Sequence, residues 1–191
     1  MNQIIDQVTG LQYIPNFISP ESHDALLANI DALPWLDDLK RRVQHYGYKY
    51  DYKKRAIDAS MKVGDLPDWA AGLAQQAQDQ KLVPYLFDQV IINEYEPGQG
   101  IARHVDCEPC FDDVIMSVSL GTPCVMHFTA LKDKQDVAVI LEPCSAVMLT
   151  GDARYQWQHS IRANKKEKAQ GQTIVRGRRV SLTFRKVILR S

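Results

Sequence analysis

In the stretch "ARHVDC", His104 and Asp106 stand two residues apart, so on an extended segment both side chains leave the same side of the chain and reach one small object. His159, in "YQWQHSI", supplies another imidazole far downstream. Two imidazoles and one carboxylate on one face of a metal ion leave three coordination positions open, a donor set suited to iron(II) and dioxygen. A His-x-Asp pair alone is more often a surface hydrogen bond. His127, in "CVMHF", competes with His159 for the third position, but precedes the arginine-bearing strand at residues 179–187 by far more residues.

That strand, "RVSLTFRKV", alternates strictly, with Arg179, Ser181, Thr183 and Arg185 on one face and Val180, Leu182 and Phe184 on the other. Two arginines separated on their own face by small hydroxyl side chains form a cationic strip with room for an anion in front of it. Dioxygen activation at iron(II) needs an electron source, and 2-oxoglutarate serves by losing carbon dioxide. Its distal carboxylate calls for the planar fork of an arginine, and its oxo-acid end chelates the metal. Asn93 and Tyr95, in "INEY", are again two apart and able to donate from one face. Any one of these residues alone reads as structural. Their joint occurrence is much harder to assign to packing.

The elements that must position them follow from composition and periodicity. With 191 residues, 45% of them hydrophobic, the chain is long enough for one substantial core, and a single domain over residues 1–191 is expected. Lys plus Arg equals Asp plus Glu at 23 each, so net charge gives no argument for a polyanionic partner. The distribution is uneven, since residues 162–190 hold ten Lys or Arg against Glu167 alone. No secretory leader and no run of eighteen apolar residues is visible, which predicts a cytoplasmic protein with no membrane span. Cys107, Cys110, Cys124 and Cys144 are then expected to stay reduced, and "CEPC" lacks the second pair that a structural zinc site wants.

Ser19 and Pro20 predict a helix start ahead of Leu26, Leu27, Ile30 and Leu33, and a second helix is predicted from about Pro67 through Gln80, with Trp69, Leu73, Ala74 and Ala77 inward. From Gln89 onward, short β-branched segments punctuated by Gly, Pro or Asp predict strands. Helices followed by strands predict an α+β domain. Residues 1–88 would give helical support and a substrate lid, and residues 89–191 a double-sheet jelly-roll core with the helices bracing one sheet.

At this point the chain resembles the AlkB-like Fe(II)/2-oxoglutarate-dependent dioxygenases, over nearly everything from about Tyr13 to Lys186, on "NEY", "HVD", His159 and "RVSLTFR". The resemblance implies iron held by His104, Asp106 and His159. It implies 2-oxoglutarate held at its distal carboxylate by Arg179, Tyr95 and Ser181, with Arg185 and Asn93 at the end nearer the metal, and O2 as the other cosubstrate. "YEPGQGI", "SVSLG", "TGDARYQWQHSI" and "SLTFRKV" are similar to the oxygenase domain of animal proteins that hydroxylate a modified wobble uridine in tRNA. Those proteins flank it with an RNA-recognition domain and a methyltransferase domain, for which this chain has no room. Alkylated-base repair members often carry an acidic residue two beyond the iron aspartate, the place of Glu108 here.

The expected function is therefore hydroxylation or oxidative demethylation of a modified or alkylated nucleobase by a monomer whose partner is tRNA or single-stranded or alkylated DNA or RNA. The rivals are a protein side-chain or small-molecule hydroxylase with the same chemistry and a catalytically silent binding module. In "HYGYKYDY", Tyr46, Tyr48, Tyr50 and Tyr52 recur at every second residue, so an extended segment would place four rings on one side. Such rings stack on bases or pack across strands, and the resemblance favours Tyr48 or Tyr50 as substrate contacts. The polar excursion at 162–178 reads as a functional or disordered loop whose lysines suit phosphate.

Overall fold

Local chemistry starts each element of the fold, for which a computed structural model describes residues 2–37, 39–51 and 54–189. A short helix α1 (Asn2–Ile5) precedes strand β1 (Leu11–Ile14). Helix α2 (Pro20–Asp31) begins as the sequence predicts, with the Ser19 side chain accepting from the Ser22 N–H at 3.2 Å and proline in the first turn. It ends one residue before Ala32, so Leu33 lies past the helix and is exposed. Strand β2 (Val43–Tyr46), a 3-10 turn at Ala59–Met61 and helix α3 (Asp68–Asp79) complete the first half.

The second half is mostly strand: β3 (Gln89–Tyr95), β4 (Ile101–His104), β5 (Ile115–Gly121), β6 (Cys124–Ala130), β7 (Asp136–Leu141) and β8 (Ala146–Leu149). After a one-turn helix α4 (Gly151–Tyr155) come β9 (Trp157–Ile161), β10 (Lys166–Ala169), β11 (Gln172–Val175) and β12 (Arg179–Arg185). Ten of the strands form two antiparallel sheets, a major one in the order β1-β8-β5-β12-β3-β2 and a minor one in the order β4-β9-β6-β7, and β10 and β11 pair separately. This is the expected α+β jelly roll.

Strand β12 sits centrally, between β3 and β5, and its alternation divides the protein. Val180, Leu182 and Phe184 are fully buried and share one cluster with Leu26 and Ile30 of α2 and Leu73 and Ala77 of α3, so both long helices brace the outer face of the major sheet. Each such burial contributes about 1.5–3 kcal/mol. Arg179, Ser181, Thr183 and Arg185 point the other way, into the space between the sheets. The apolar part of that space is a second cluster, built from Tyr95, Phe111, Phe128, Val147 and Trp157 among others.

Four expectations need correcting. The first 88 residues are more than support, because β1 pairs with β8 and β2 with β3, extending the major sheet at both edges. Segment 162–178 is neither disordered nor a plain loop. Its β10 and β11 form a hairpin whose Ala169 and Ile174 pack on Val125 and Ile140, with Glu167 buried beside them. The tyrosine series does not share a side, since Gly47 takes φ +78 where a Cβ would lie 1.9 Å from the Asp88 carbonyl oxygen, and the turn re-aims the chain. Tyr46 therefore packs edge-on against Trp69 under the helices, while Tyr48 and Tyr50 pack with the inter-sheet cluster; Tyr52 lies outside the described residues. Cys107 and Cys110 are joined as a disulfide, because the turn between them brings their Cα atoms to 5.3 Å; Cys124 and Cys144 are free.

Candidate metal centre and cosubstrate pocket

Strand pairing creates the metal cluster. His104 on β4 and His159 on β9 are direct partners across the ladder, with ring centroids 4.3 Å apart. A register irregularity between Ile101 and His104 aims the end of β4 into the inter-sheet space. Asp106 follows just past the strand, and the ligating atoms of the three residues all lie within 4.8 Å of one another. The side chains predicted from spacing thus converge on one point.

Their protonation suits a cation. His104 Nδ1 is 2.8 Å from the Ala102 carbonyl oxygen, so Nδ1 donates there and Nε2 is the nitrogen left to face a metal. Burial and then the neighbouring His104 push the His159 imidazole down to about 3, against the pull of Asp106, so it stays neutral and able to coordinate near pH 7. Burial opposes ionisation of Asp106, but Arg185 and the two imidazoles prevail and hold its carboxyl well below the ordinary range. Asp106 Oδ1 accepts from Arg185 Nη2, while the buried Asp106 Oδ2 and His159 Nδ1 have no hydrogen-bond partner. A carboxylate oxygen left bare beside two imidazoles is what a divalent cation satisfies. The donor set fits iron(II).

Sequence reasoning missed one organiser of this site. Arg154, on α4, is 1% exposed, and its guanidinium donates to the carbonyl oxygens of Asp106 (3.0 Å), Phe111 (3.2 Å), Cys107 (3.4 Å) and Asp112 (3.5 Å). It ties the segment carrying the carboxylate ligand to the segment that leads into the His159 strand. The only signal available beforehand was its place in "TGDARYQWQHSI", where an arginine on a polar turn reads as solvated.

A cavity of about 470 Å³ opens from the metal cluster and is floored by the polar face of β12. Arg179 lies on that floor, fully buried, over the ring of Tyr95 at 5.6 Å. Its Nη2 donates to Ser119 Oγ at 3.0 Å, but its Nε and Nη1 have no acceptor, and no carboxylate pairs with it among the described residues. Arg185 stands beside the triad, on Asp106 and over Phe111 at 4.7 Å, with Nε and Nη1 likewise unmatched. A buried guanidinium without a carboxylate partner, as at Arg179, is costly, and the unmatched N–H groups of the strip are suited to an anion. Ser181 and Tyr95 share the floor with it, and Asn93 is held by Arg41, whose Nε donates to Asn93 Oδ1 at 2.8 Å, leaving the amide nitrogen free to donate.

The remaining expected site residues fall differently. Tyr50 lines the cavity, packing against Phe111 at 5.6 Å between centroids. Tyr48 does not; it lines a separate groove with Lys62 and Gln75. Glu108 is exposed outside the cavity, because the chain turns after Cys107, with Cys110 N–H bonded to the Cys107 carbonyl at 3.1 Å, and the alternation that carried His104 and Asp106 inward stops there. His127 points to the far side of the minor sheet, 2.9 Å from Asp136, since its neighbour Phe128 faces inward opposite His159. His159 rather than His127 joins the triad.

The sequence pattern of the 2OG-Fe(II) oxygenase superfamily matches residues 38–185, which span β2 to β12 and hold every residue of the cluster and the strip. The chain belongs to this superfamily. Membership implies Fe(II), 2-oxoglutarate and O2, and the triad and the unmatched arginine N–H groups fit the first two. The chain is 35% identical over 94% of its length to an Arabidopsis thaliana protein named as an alkylated DNA repair protein ALKBH8 homologue. It is 35% identical over 93% of its length to a Xenopus tropicalis tRNA (carboxymethyluridine(34)-5-O)-methyltransferase, alkbh8. It spans 59% of the first protein and 32% of the second. A mimivirus protein, L905, is 31% identical over 95% of this chain and 86% of its own. Among solved structures, OsALKBH1 superposes with a TM-score of 0.71 at 17% identity over 93% of this chain and 96% of its own, and shows the same fold. No described helix of this superfamily member is long and apolar enough to cross a membrane.

Proposed function

We propose that the chain is a 2-oxoglutarate-dependent dioxygenase that hydroxylates or oxidatively demethylates a modified or alkylated nucleobase in RNA or DNA. The observation that carries the chemistry is Arg179, a fully buried guanidinium with two unmatched N–H groups facing the same cavity as the triad. What favours a nucleobase is the similarity to relatives whose names refer to alkylated DNA repair and to a tRNA uridine.

When bound, iron and 2-oxoglutarate supply the oxidant, one atom of dioxygen ending in succinate and the other in the substrate C–H bond. His104, Asp106 and His159 would hold the metal. Arg179 would hold the distal carboxylate of 2-oxoglutarate, with Ser181 and Tyr95 beside it. Arg185 has a different task. Tied to Asp106 Oδ1, it orients the carboxylate so that Oδ2 faces the histidines, and its free N–H groups remain for the oxo-acid end. Asn93, oriented by Arg41, donates from the same wall. Tyr50 and Phe111 close one side of the cavity and keep water from the reacting carbon. If that carbon is attached to a ring nitrogen, the hydroxylated product collapses to formaldehyde and the demethylated base.

The test is succinate formation by the Fe(II)-loaded protein, paired with mass spectrometry of tRNA and DNA nucleosides from cells with and without it. One modified nucleoside should accumulate without the protein and be consumed by it in vitro. Succinate production stimulated by a peptide or metabolite, with no change in any nucleoside, would reject the nucleobase reading and leave the oxygenase chemistry standing.

A further inference from the structure

The disulfide adjoins the metal cluster in both sequence and space. Cys107 follows the ligand Asp106 directly and lines the wall of the metal cavity, and Cys110 closes the ring three residues on. Both are buried, at 5% and 3% exposure, in the inter-sheet cluster that holds Phe111. The other two cysteines have no such arrangement: Cys124 is fully buried on β6, Cys144 is half-buried between β7 and β8, and both are free thiols.

Backbone contacts bring the two sulfurs together whether or not they are bonded. Pro109 fixes one dihedral of the turn, and the Cys107 carbonyl oxygen accepts from the N–H groups of Cys110 (3.1 Å) and Phe111 (3.2 Å) and from Arg154 Nη2 (3.4 Å). Both sulfurs also face one acceptor on another segment, the Arg55 carbonyl oxygen, with Cys107 Sγ at 3.3 Å and Cys110 Sγ at 3.5 Å. A thiol can donate to that oxygen and a disulfide cannot. The two redox states therefore hold the turn differently. As a disulfide it is closed covalently on itself; as a dithiol it is held by hydrogen bonds, one of them a weak one to Arg55, which also lines the cavity. The ring contains the first residue after a metal ligand. Closing it removes freedom from the Asp106 segment that coordination would otherwise have to remove, so the disulfide form should hold a metal ion more tightly.

We propose that Cys107 and Cys110 form a reversible redox site whose exchange partners are a small dithiol and its cyclic disulfide, and that the state of the pair sets how tightly the Asp106 segment holds the metal. In reduction the two S–H hydrogens and two electrons of the dithiol pass to Cys107 and Cys110, the protein S–S bond breaks, and the partner's own S–S bond closes its ring; oxidation is the reverse. The way in is the cavity wall at Cys107, because both residues are otherwise covered. Resting on the assignment of His104, Asp106 and His159 to the metal, this coupling is independent of the nucleobase reading. It is also reciprocal. If the disulfide tightens metal binding by some factor, bound metal favours the disulfide over the dithiol by the same factor.

The experiment is a calorimetric titration of the full chain with Mn(II), a hard ion that thiols bind poorly, in the oxidised state and after reduction by a phosphine, which takes up the oxygen of one water as the S–S bond opens. Alkylation in denaturant counts the thiols: Cys124 and Cys144 alone in the oxidised protein, all four cysteines in the reduced one. The reduced protein should bind Mn(II) about 10-fold more weakly, the size expected for loss of an outer support of a metal ligand. Cys110→Ser should bind like the reduced protein under both conditions, and Cys144→Ser should keep the full redox response. In a buffer of small dithiol and its cyclic disulfide, saturating Mn(II) should move the equilibrium of the pair about 10-fold toward the disulfide. Four alkylated cysteines after oxidation, an equal or tighter dissociation constant in the reduced protein, or an equilibrium that Mn(II) does not move overturns the proposal. Mn(II) bound as tightly by Asp106→Ala as by the wild type would instead reject the metal assignment beneath it.

Discussion

Two clusters of histidine and carboxylate face each other across the minor sheet, built from the same residue types and ordered toward opposite ends. Inside, His104, Asp106 and His159 stand with Arg185 and Arg179, and six of their buried nitrogen and oxygen atoms have no partner. Outside, His127 sits 2.9 Å from Asp136 and 3.5 Å from Glu167, Arg176 pairs with Glu167, and Arg162 with Asp136. There, among the buried side-chain atoms, Arg176 Nε alone lacks an acceptor. Saturation separates the two. A polar cluster that satisfies itself holds a hairpin to a sheet; one that leaves donors and acceptors bare is completed by a ligand.

The sharpest way to break this contrast is to remove a histidine from each side. His159→Ala should abolish Fe(II)-dependent succinate formation, a larger loss than the roughly 10–100-fold expected for an outer partner of a metal ligand. His127→Ala should keep turnover within a fewfold of wild type. A dead His127 variant beside an active His159 variant would reverse the assignment.

Next in size is the cosubstrate strip. Removing one member of a buried charge pair costs about 2–5 kcal/mol, so Arg179→Ala should weaken 2-oxoglutarate binding by roughly tens to thousands of fold, read by calorimetry on the Mn(II)-substituted protein. Arg179→Lys should recover little, because an ammonium cannot present two parallel donors. An unchanged dissociation constant would mean that the strip faces another anion.

Arg154 belongs to the inner side but acts through the backbone. Arg154→Met would leave buried carbonyl oxygens bare at about 1–3 kcal/mol each, so a lower Tm is expected. A purely structural residue would stop there. A positioning residue for Asp106 should also weaken Mn(II) binding by about 10-fold or more in the folded fraction, with Arg154→Lys intermediate.

The smallest effect lies on the outer side and depends on pH. Burial raises the Asp136 carboxyl, but hydrogen bonds from His127 and Thr129 outweigh it and leave the group below its ordinary value. A depressed carboxyl contributes stability above its unfolded pKa of about 3.9 and loses it as pH falls through the folded value. Wild-type Tm should therefore drop more steeply below about pH 4 than that of Asp136→Asn, by a few degrees at most for so exposed a group. Equal acid slopes would show that the outer cluster adds nothing measurable.

Legibility followed the range of the interactions. The Ser19 cap and the alternation of β12 are fixed within a few residues by backbone periodicity and local hydrogen bonding, so both could be read directly. Where alternation failed, a nearby turn was responsible. The turn at Gly47 parted Tyr46, under the helices, from Tyr48 and Tyr50, of which Tyr50 alone lines the cavity, and the turn closed by Cys107 and Cys110 put Glu108 into solvent.

By itself, the sequence determined the metal-binding types and their partial spacing, the two-faced arginine strand, and the order of helices before strands. Tertiary structure decided which histidine completes the triad, since His104 and His159 meet only through pairing of β4 with β9, fifty-five residues apart in the chain. It also decided that Arg154 reaches back 48 residues to the Asp106 carbonyl. The physical reason is that hydrogen-bond saturation, burial and charge segregation are properties of surroundings assembled from distant segments. A residue's own type and its near neighbours do not contain them.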